Sequence, residues 1–93
     1  MNLINCKRCG ADILIPDLTA EIKSSISDTA HRMGRMQAII ELKNRAGLSL
    51  AEAKAVAFHL SDTGSKCHRC NRELVDENEE VDCPMCRSMN LKW

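Results

Sequence analysis

Paired cysteines are the residues of this sequence that are best suited to chemistry. The 93-residue chain has six cysteines in three C-x-x-C pairs: Cys6 and Cys9, Cys67 and Cys70, and Cys83 and Cys86. Two thiolates at this spacing on a tight turn can both reach one tetrahedral metal ion at about 2.3 Å. The turn also directs backbone N–H groups at the sulfur atoms, which helps to keep them ionised. The spacing therefore predicts metal binding.

The second and third pairs are close enough in sequence to share one ion. Twelve residues, 71–82, separate them, a length that suits two short strands and a loop returning to the same metal. Four thiolates leave no open coordination position, so the ion would hold the fold without performing chemistry. A segment as short as residues 66–93 cannot bury enough apolar surface to fold unaided, and metal binding would supply on the order of 10 kcal/mol. Zinc is the expected ion, and iron fits the same ligands.

Three motifs give this last part of the chain a recognisable pattern: Cys67-His68-Arg69-Cys70, Cys83-Pro84-Met85-Cys86 and Asn90-Leu91-Lys92-Trp93. Together they resemble a rubredoxin-like zinc ribbon, in which two metal knuckles face each other across a small antiparallel sheet. The resemblance implies that the four cysteines of these motifs are zinc ligands. Asn71 and Arg87 replace the glycine that usually follows each knuckle. Because arginine adopts a left-handed backbone poorly, we expect the second knuckle to be looser.

The first pair resembles half of such a site. Cys6-Lys7-Arg8-Cys9-Gly10 fits one knuckle, with Gly10 in the turn and short strands at 3–4 and 13–15. Three completions remain open. Two subunits could share a zinc ion and form a homodimer, His59 or His31 could supply ligands, or a C-terminal knuckle could join a mixed site. A redox-active pair needs a thiolate at a helix start, which a strand–turn–strand does not provide.

The middle of the chain predicts three helices. Asp17 follows Pro16 and is the expected cap of the first helix, which breaks at Gly34, while the second stops at Gly47. Ser49 and Glu52 form the capping box that starts the third helix. The expected apolar stripes are Leu18, Ile22, Ile26, Ala30 and Met33, then Met36, Ile39, Ile40 and Leu42, then Leu50, Ala53, Val56, Ala57 and Leu60. We expect Met33 and Met36 to belong to the core.

The turn between the second and third helices carries a specific order of residues, Gly47-Leu48-Ser49-Leu50-Ala51-Glu52-Ala53-Lys54. With the preceding Ala38-Ile39-Ile40-Glu41-Leu42-Lys43, it resembles the helical hairpin in the C-terminal domain of the large-subunit ribosomal stalk protein, over residues 36–57. In that family the outer face of the hairpin docks onto translation GTPases. The resemblance implies a partner-binding face made of Met36, Ile39, Lys43 and Lys54. Ile40 stands where the family has a lysine.

Composition limits the classes of function. Lys plus Arg and Asp plus Glu each number 13, so the formal charge of zero argues against coating nucleic acid or an anionic membrane by bulk charge. Phe58 and Trp93 are the only aromatic residues, too few to stack unpaired bases. Apolar runs fall far short of the ~20 residues that span a bilayer. The N-terminus shows no signal-peptide pattern, so we expect a cytoplasmic protein with reduced thiols.

Charged residues near the knuckles leave a second function open. The basic residues Lys7, Arg8, Arg69, Arg72 and Arg87 either offset the net negative charge of a four-cysteine zinc site or touch nucleic acid. The acidic residues of segment 76–82 mark the expected ribbon tip, and they would repel a phosphate backbone. No phosphate-binding loop, Ser/His/Asp arrangement or open metal site is present in the sequence, so we expect no enzymatic activity.

The sequence therefore predicts an α+β zinc protein with three parts: an N-terminal C-x-x-C knuckle hairpin (1–16), a helical segment (17–62) and a C-terminal zinc ribbon (63–93). The predicted function is a non-catalytic, zinc-stabilised protein-interaction module, associated with translation by resemblance. One alternative is a nucleic-acid-binding regulator that uses the basic knuckles. Another is a thiol-based metal or redox sensor that uses Cys6 and Cys9.

Overall fold

A computed structural model describes residues 2–61, 66–75 and 78–93. In chain order its elements are β1 (Asn2–Asn5), β2 (Asp12–Ile15), α1 (Ala20–Met33), α2 (Arg35–Ala46), α3 (Leu50–Phe58), β3 (Glu80–Asp82) and β4 (Met89–Leu91). Within the described residues β1 pairs with β2 and β3 with β4, both antiparallel, so the α+β class is confirmed. The predicted linker at 62–65 and acidic residues Asp76 and Glu77 lie outside the described residues. None of the helices in the described part of the chain has the length and apolarity needed to cross a membrane.

The N-terminal hairpin forms as the sequence predicts. Leu3 lies opposite Leu14 and Ile4 opposite Ile13 in the β1–β2 ladder. Successive side chains of a strand point to opposite faces, so Ile13 and Ile15 both enter the core. The Asn5 side chain donates to Gly10 O and Asp12 Oδ1, each at 3.1 Å, and so ties the two ends of the knuckle loop together.

The helix ends follow the predicted signals with one exception. Gly47 adopts φ 69° and its N–H donates to Lys43 O at 3.2 Å, which closes α2. Both capping-box bonds of α3 are present, from Glu52 N to Ser49 Oγ at 3.2 Å and from Ser49 N to Glu52 Oε1 at 2.9 Å. The cap of α1 is Thr19 rather than Asp17, because the helix starts at Ala20 and Thr19 Oγ1 accepts from Ile22 N at 3.3 Å.

The helices bury fewer apolar residues than the apolar stripes predict. Ile26, Ile39, Leu42, Val56 and Leu60 are fully buried, as expected. In contrast, four residues that the sequence placed in the core are exposed. The exposed fraction is 69% for Met33, 65% for Met36, 47% for Ile40 and 50% for Leu50. The two methionines flank the Gly34 break, and consecutive residues of a helix point about 100° apart, so Ile40 faces away when Ile39 faces the core.

The C-terminal part joins this core through β4. Met89 and Leu91 lie in the same buried cluster as Cys6, Ile13 and Leu60. The chain leaving α3 runs parallel to β4, since Leu91 N donates to His59 O at 2.8 Å and Ser61 N donates to Leu91 O at 2.9 Å. The end of α3, the first knuckle and the ribbon are therefore fixed against one another.

The orientation of α2 can be tested with two adjacent isoleucines. Ile39→Ala should lower the free energy of unfolding by about 2–5 kcal/mol, because it leaves a cavity in the core. Ile40→Ala should lower it by less than about 1 kcal/mol, because that side chain is half exposed. Urea denaturation of the zinc-loaded protein measures both. Equal losses, or a larger loss at Ile40, would contradict the orientation.

Candidate metal centres

The three C-x-x-C pairs fold into the same backbone knuckle. In each, the first cysteine carbonyl accepts from the residue four positions later, and the first cysteine N–H donates to the carbonyl five positions later. The six bonds are Gly10 N to Cys6 O (2.7 Å), Asn71 N to Cys67 O (3.0 Å), Arg87 N to Cys83 O (2.9 Å), Cys6 N to Ala11 O (2.9 Å), Cys67 N to Arg72 O (2.8 Å) and Cys83 N to Ser88 O (2.9 Å). The sequence motif therefore specifies a repeated structure.

The residue after each knuckle has a left-handed backbone conformation, whatever its side chain. The φ angle is 76° at Gly10, 64° at Asn71 and 63° at Arg87. A left-handed backbone costs a residue such as arginine about 1–2 kcal/mol, which the knuckle must offset. The Arg87 knuckle has the same two backbone bonds as the others, at similar lengths. The expectation that this knuckle is looser is therefore wrong.

The two C-terminal knuckles bring four sulfur atoms together. The Sγ atoms of Cys67, Cys70, Cys83 and Cys86 all lie within 4.8 Å of one another. Cys67 Sγ is 3.6 Å from Cys86 Sγ, and Cys70 Sγ is 3.4 Å from Cys83 Sγ. Sulfur ligands of a tetrahedral zinc ion at 2.3 Å are about 3.8 Å apart, so the group has nearly the dimensions of a zinc centre. We name this group the four-cysteine site.

The four sulfur atoms of the four-cysteine site have different tendencies to ionise, and hydrogen bonds favour the thiolate of Cys67. Burial raises the pKa of Cys67, but the N–H groups of Cys70 and Arg69 and the Asn90 side chain outweigh it and lower that pKa to about 6. Burial and the neighbouring thiols raise the pKa of Cys86 to about 12. Four anionic sulfur atoms at this distance repel one another, which a divalent cation at their centre relieves. The donor set therefore fits a metal ion.

Asn90 supports the four-cysteine site from outside, and the sequence did not indicate this role. Its side chain is fully buried, with Nδ2 donating to Cys67 Sγ at 3.5 Å and to Ser88 O at 3.1 Å. Its Oδ1 accepts from His68 N at 2.9 Å. One amide thus joins the first C-terminal knuckle to the residues after the second. The only signal for this role in the sequence was the presence of an asparagine in the strand that follows the last knuckle.

A second group, which we name the cysteine–histidine site, consists of Cys6, Cys9 and His59. The ligand atoms of these three residues all lie within 4.8 Å of one another, and Cys9 Sγ is 3.5 Å from His59 Nε2. Cys6 is buried whereas Cys9 is exposed. Burial raises the pKa of Cys6, but the N–H groups of Met89, Cys9 and Arg8 outweigh it and lower that pKa to about 6. The Met89 N–H lies 3.4 Å from Cys6 Sγ.

The ring of His59 has the orientation that metal binding needs. It follows the last turn of α3, where its Nδ1 lies 2.6 Å from Ala55 O. A carbonyl oxygen only accepts, so the Nδ1 N–H donates to Ala55 O, and Nε2 is the ring nitrogen that faces Cys9 and can bind a metal ion. Metal-binding histidines usually donate their other ring N–H to a carbonyl or carboxylate in this way. The backbone of His59 is held as well, because its carbonyl accepts from Leu91 N.

The other sequence candidates lie outside this group. His31 is exposed, with its Nε2 3.0 Å from Ser61 O. The C-terminal knuckles face each other, so neither forms a mixed site with Cys6 and Cys9. His68 lies close by: its Nε2 is 2.8 Å from Ser88 Oγ and 3.1 Å from Met89 O. Burial and the neighbouring His59 lower the pKa of His68 to about 4, which leaves its imidazole neutral at pH 7.

The four residues of the expected partner-binding face do not share one environment. Met36, Lys43 and Lys54 are exposed on α2 and α3. Ile39 is only 1% exposed and packs in the main core. The exposed neighbours Met33 and Ile40 lie beside Met36 instead, at the junction of α1 and α2 and along α2. Sequence periodicity did not distinguish these exposed positions from the core.

Asn90→Ala should weaken metal binding at the four-cysteine site by about 10–100-fold, as losses of such supporting bonds typically do. The physical reason is that Cys67 loses a donor and the His68 backbone loses its acceptor. Competition against a chromophoric chelator measures the affinity. Asn44→Ala, an exposed change on α2, is the matched control. Equal affinities for both variants would remove the supporting role of Asn90.

The two groups predict two divalent ions per chain. Native mass spectrometry of the zinc-loaded protein should show two, and His59→Ala should reduce the number to one, because it removes a ligand of the cysteine–histidine site. His31→Ala should retain two ions. Three ions per dimer would mean instead that Cys6 and Cys9 bridge subunits, and one ion per wild-type chain would contradict the second group.

The comparisons with known proteins found no match, so the interpretation rests on the geometry described above. No protein-family model matches the chain, and the searches of curated proteins and of solved structures returned no significant match. The residues themselves show a small α+β chain in which three like knuckles and one histidine form a four-cysteine site and a cysteine–histidine site. Both groups have the spacing and the donor types of metal centres.

Proposed function

We propose that this protein is a non-catalytic, zinc-stabilised protein-interaction module. The observation that carries the proposal is a run of exposed apolar side chains at the end of α1 and along α2. We name it the docking face, and it consists of Met33, Met36, Ile40 and Lys43. Its three apolar members are between 47% and 69% exposed, although the same helices bury other apolar residues completely. Apolar side chains grouped on a surface favour a partner that covers them.

The geometry of the helices groups these side chains. Met36, Ile40 and Lys43 are four and then three residues apart, so they lie on one side of α2. Met33 ends α1, just before the Gly34 break. Met33 and Ile40 also line a shallow groove between the two helices. Methionine is flexible and polarisable, so it can adapt to the side chains of a partner.

Charges around the docking face indicate the chemistry of the partner. Arg45, which lines the groove, pairs with Glu41 at 3.3 Å, and Arg32 of α1 pairs with Asp28 at 3.1 Å. Lys43 is exposed and forms no ion pair with another described residue. The partner that fits best is therefore a protein segment that presents apolar side chains next to a carboxylate. Lys54, exposed on α3, stays a further candidate contact.

Translation GTPases are the first partners to test. This choice rests only on the resemblance of residues 36–57 to the ribosomal stalk domain, since the comparisons returned no stalk protein. Ile40 replaces the lysine of that family, and it adds apolar surface where the family has charge. The expected contact is accordingly more apolar than the family's own.

The two alternative functions, nucleic-acid binding and thiol sensing, stay predictions that can be tested with the same purified protein. Against nucleic acid, Lys7 of the first knuckle pairs with Asp82 at 3.4 Å, and Glu79 and Glu80 precede that aspartate by three and two residues. For a thiol sensor, Cys9 is exposed while Cys6 is buried. Binding that disappears on nuclease treatment would favour the first alternative. Rapid reversible oxidation of these thiols in the metal-loaded protein would favour the second.

Calorimetric titration of a purified translation GTPase with the zinc-loaded protein tests the proposal. We expect saturable binding that Ile40→Glu weakens at least tenfold, because the substitution places a charge in the apolar contact. Val75→Glu is the matched control, since Val75 is 89% exposed and belongs to the ribbon. Capture from a nuclease-treated extract extends the test to other partners. If no partner distinguishes the two variants, the docking proposal is wrong.

A further inference from the structure

We propose that His68 is the fourth ligand of the cysteine–histidine site, so that Cys6, Cys9, His59 and His68 hold one zinc ion in a closed centre of two cysteines and two histidines. This inference goes beyond the docking function and does not depend on it. It starts from the three ligand atoms that already lie together in the cysteine–histidine site. A structural zinc ion takes four ligands, so the group as it stands is one ligand short.

His68 is the only candidate for the fourth ligand among the described residues that line the site. The site opens into a cleft of about 380 Å³ lined by Arg8, Cys9, Phe58, His59, His68, Arg69 and Ser88. Among these described lining residues there is no carboxylate and no second cysteine. His68 is thus the one further side chain of a type that commonly binds zinc. As an uncharged ligand it would also add no charge to an ion that two thiolates neutralise.

The position of the His68 ring fits a shared ion. The centroids of the His59 and His68 rings are 5.2 Å apart, with their planes at 60°. Two imidazoles bound to one tetrahedral zinc ion through Zn–N bonds of 2.0–2.1 Å have ring centres about 5 Å apart. The two rings are therefore already at the separation that a common ion requires, although their edges have not converged on it.

One hydroxyl group separates the His68 ring from the site. Ser88 Oγ lies 2.8 Å from His68 Nε2 on one side and 3.9 Å from Cys6 Sγ on the other. Metal binding would turn Nε2 from Ser88 and Met89 O to the ion, with the ring proton then carried on Nδ1. The Ser88 hydroxyl would be left to donate to the Cys6 sulfur. The change moves the His68 ring out of its present hydrogen bonds with Ser88 and Met89.

This ligand set couples the two centres. His68 lies between Cys67 and Cys70, and its N–H donates to Asn90 Oδ1 while Asn90 Nδ2 donates to Cys67 Sγ. An ion in the four-cysteine site fixes the knuckle that carries His68. The cysteine–histidine site should therefore bind its ion after the four-cysteine site and depend on it, since an ordered ligand loses less conformational freedom on binding.

Cadmium-113 NMR of the full chain tests the ligand set directly. The protein is loaded with two equivalents of ¹¹³Cd²⁺, and couplings from each cadmium to ligand protons are recorded. We expect one resonance coupled only to cysteine protons, and a second coupled to Cys6, Cys9 and the ring protons of both His59 and His68. A second resonance coupled to His59 but not His68 overturns the proposal. Failure to bind a second cadmium also overturns it.

A pair of histidine variants gives an independent measurement. His68→Ala should weaken binding of the second cadmium by more than about 100-fold, because even losses outside the ligand shell cost 10–100-fold. The first cadmium should keep its all-cysteine resonance, which shows that the four-cysteine site still folds. His31→Ala is the matched control and should leave both affinities unchanged. Equal second-site affinities in the two variants would overturn the proposal, whatever the outcome of the partner titration.

Discussion

The meeting of four cysteine sulfur atoms within 4.8 Å of one another, a group that fits a metal ion, is the constraint on which the C-terminal part of this structure depends. The separate buried cluster of that part consists of Cys67, Leu74, Val81 and Cys83, with Cys86 packed against it. Three of these five residues are cysteines of the four-cysteine site, so among the described residues of this cluster only two aliphatic side chains remain to offset the conformational entropy lost on folding. Without an ion, the same sulfur atoms would be a repulsive cluster of partly ionised thiols.

Strand β4 connects the four-cysteine site to the rest of the molecule. Its backbone pairs with β3 on one side and with the chain after α3 on the other. Met89 N lies against Cys6 Sγ, Leu91 holds the backbone of His59, and Asn90 holds the first C-terminal knuckle. Three consecutive residues therefore reach both candidate centres. The helical core depends on them as well, because Met89 and Leu91 are part of it.

Local signals in the sequence were sufficient for much of the fold. Each C-x-x-C pair specified its own knuckle, Gly47 and Gly34 ended helices, and the Ser49 capping box started α3, because each of these depends on bonds between residues less than six positions apart. The same locality explains how the motif in the last knuckle tolerated Arg87. The Thr19 cap was missed because two polar residues near Pro16 could both have served, and only the helix start decides between them.

Features set by tertiary contacts could not be read from the sequence. Helical periodicity gave Met33, Met36, Ile40 and Leu50 the same status as Ile39, and the difference arises from which faces α1, α2 and α3 turn towards each other. The histidines posed a similar problem. His59 and His31 were equal candidates until the parallel pairing of β4 fixed His59 beside the first knuckle. Asn90 and Ser88 contact the sulfur atoms of cysteines 23 and 82 residues away in the sequence, a separation that no local motif encodes.

The dependence on metal is tested most directly by the amide ¹H–¹⁵N spectrum of the purified protein before and after a strong chelator removes its metal. We predict that amides of residues 66–75 and 78–86 lose their dispersion to random-coil positions, and that adding Zn²⁺ restores them. A protein that is purified without metal, or whose ribbon amides stay dispersed after the metal is gone, would contradict it.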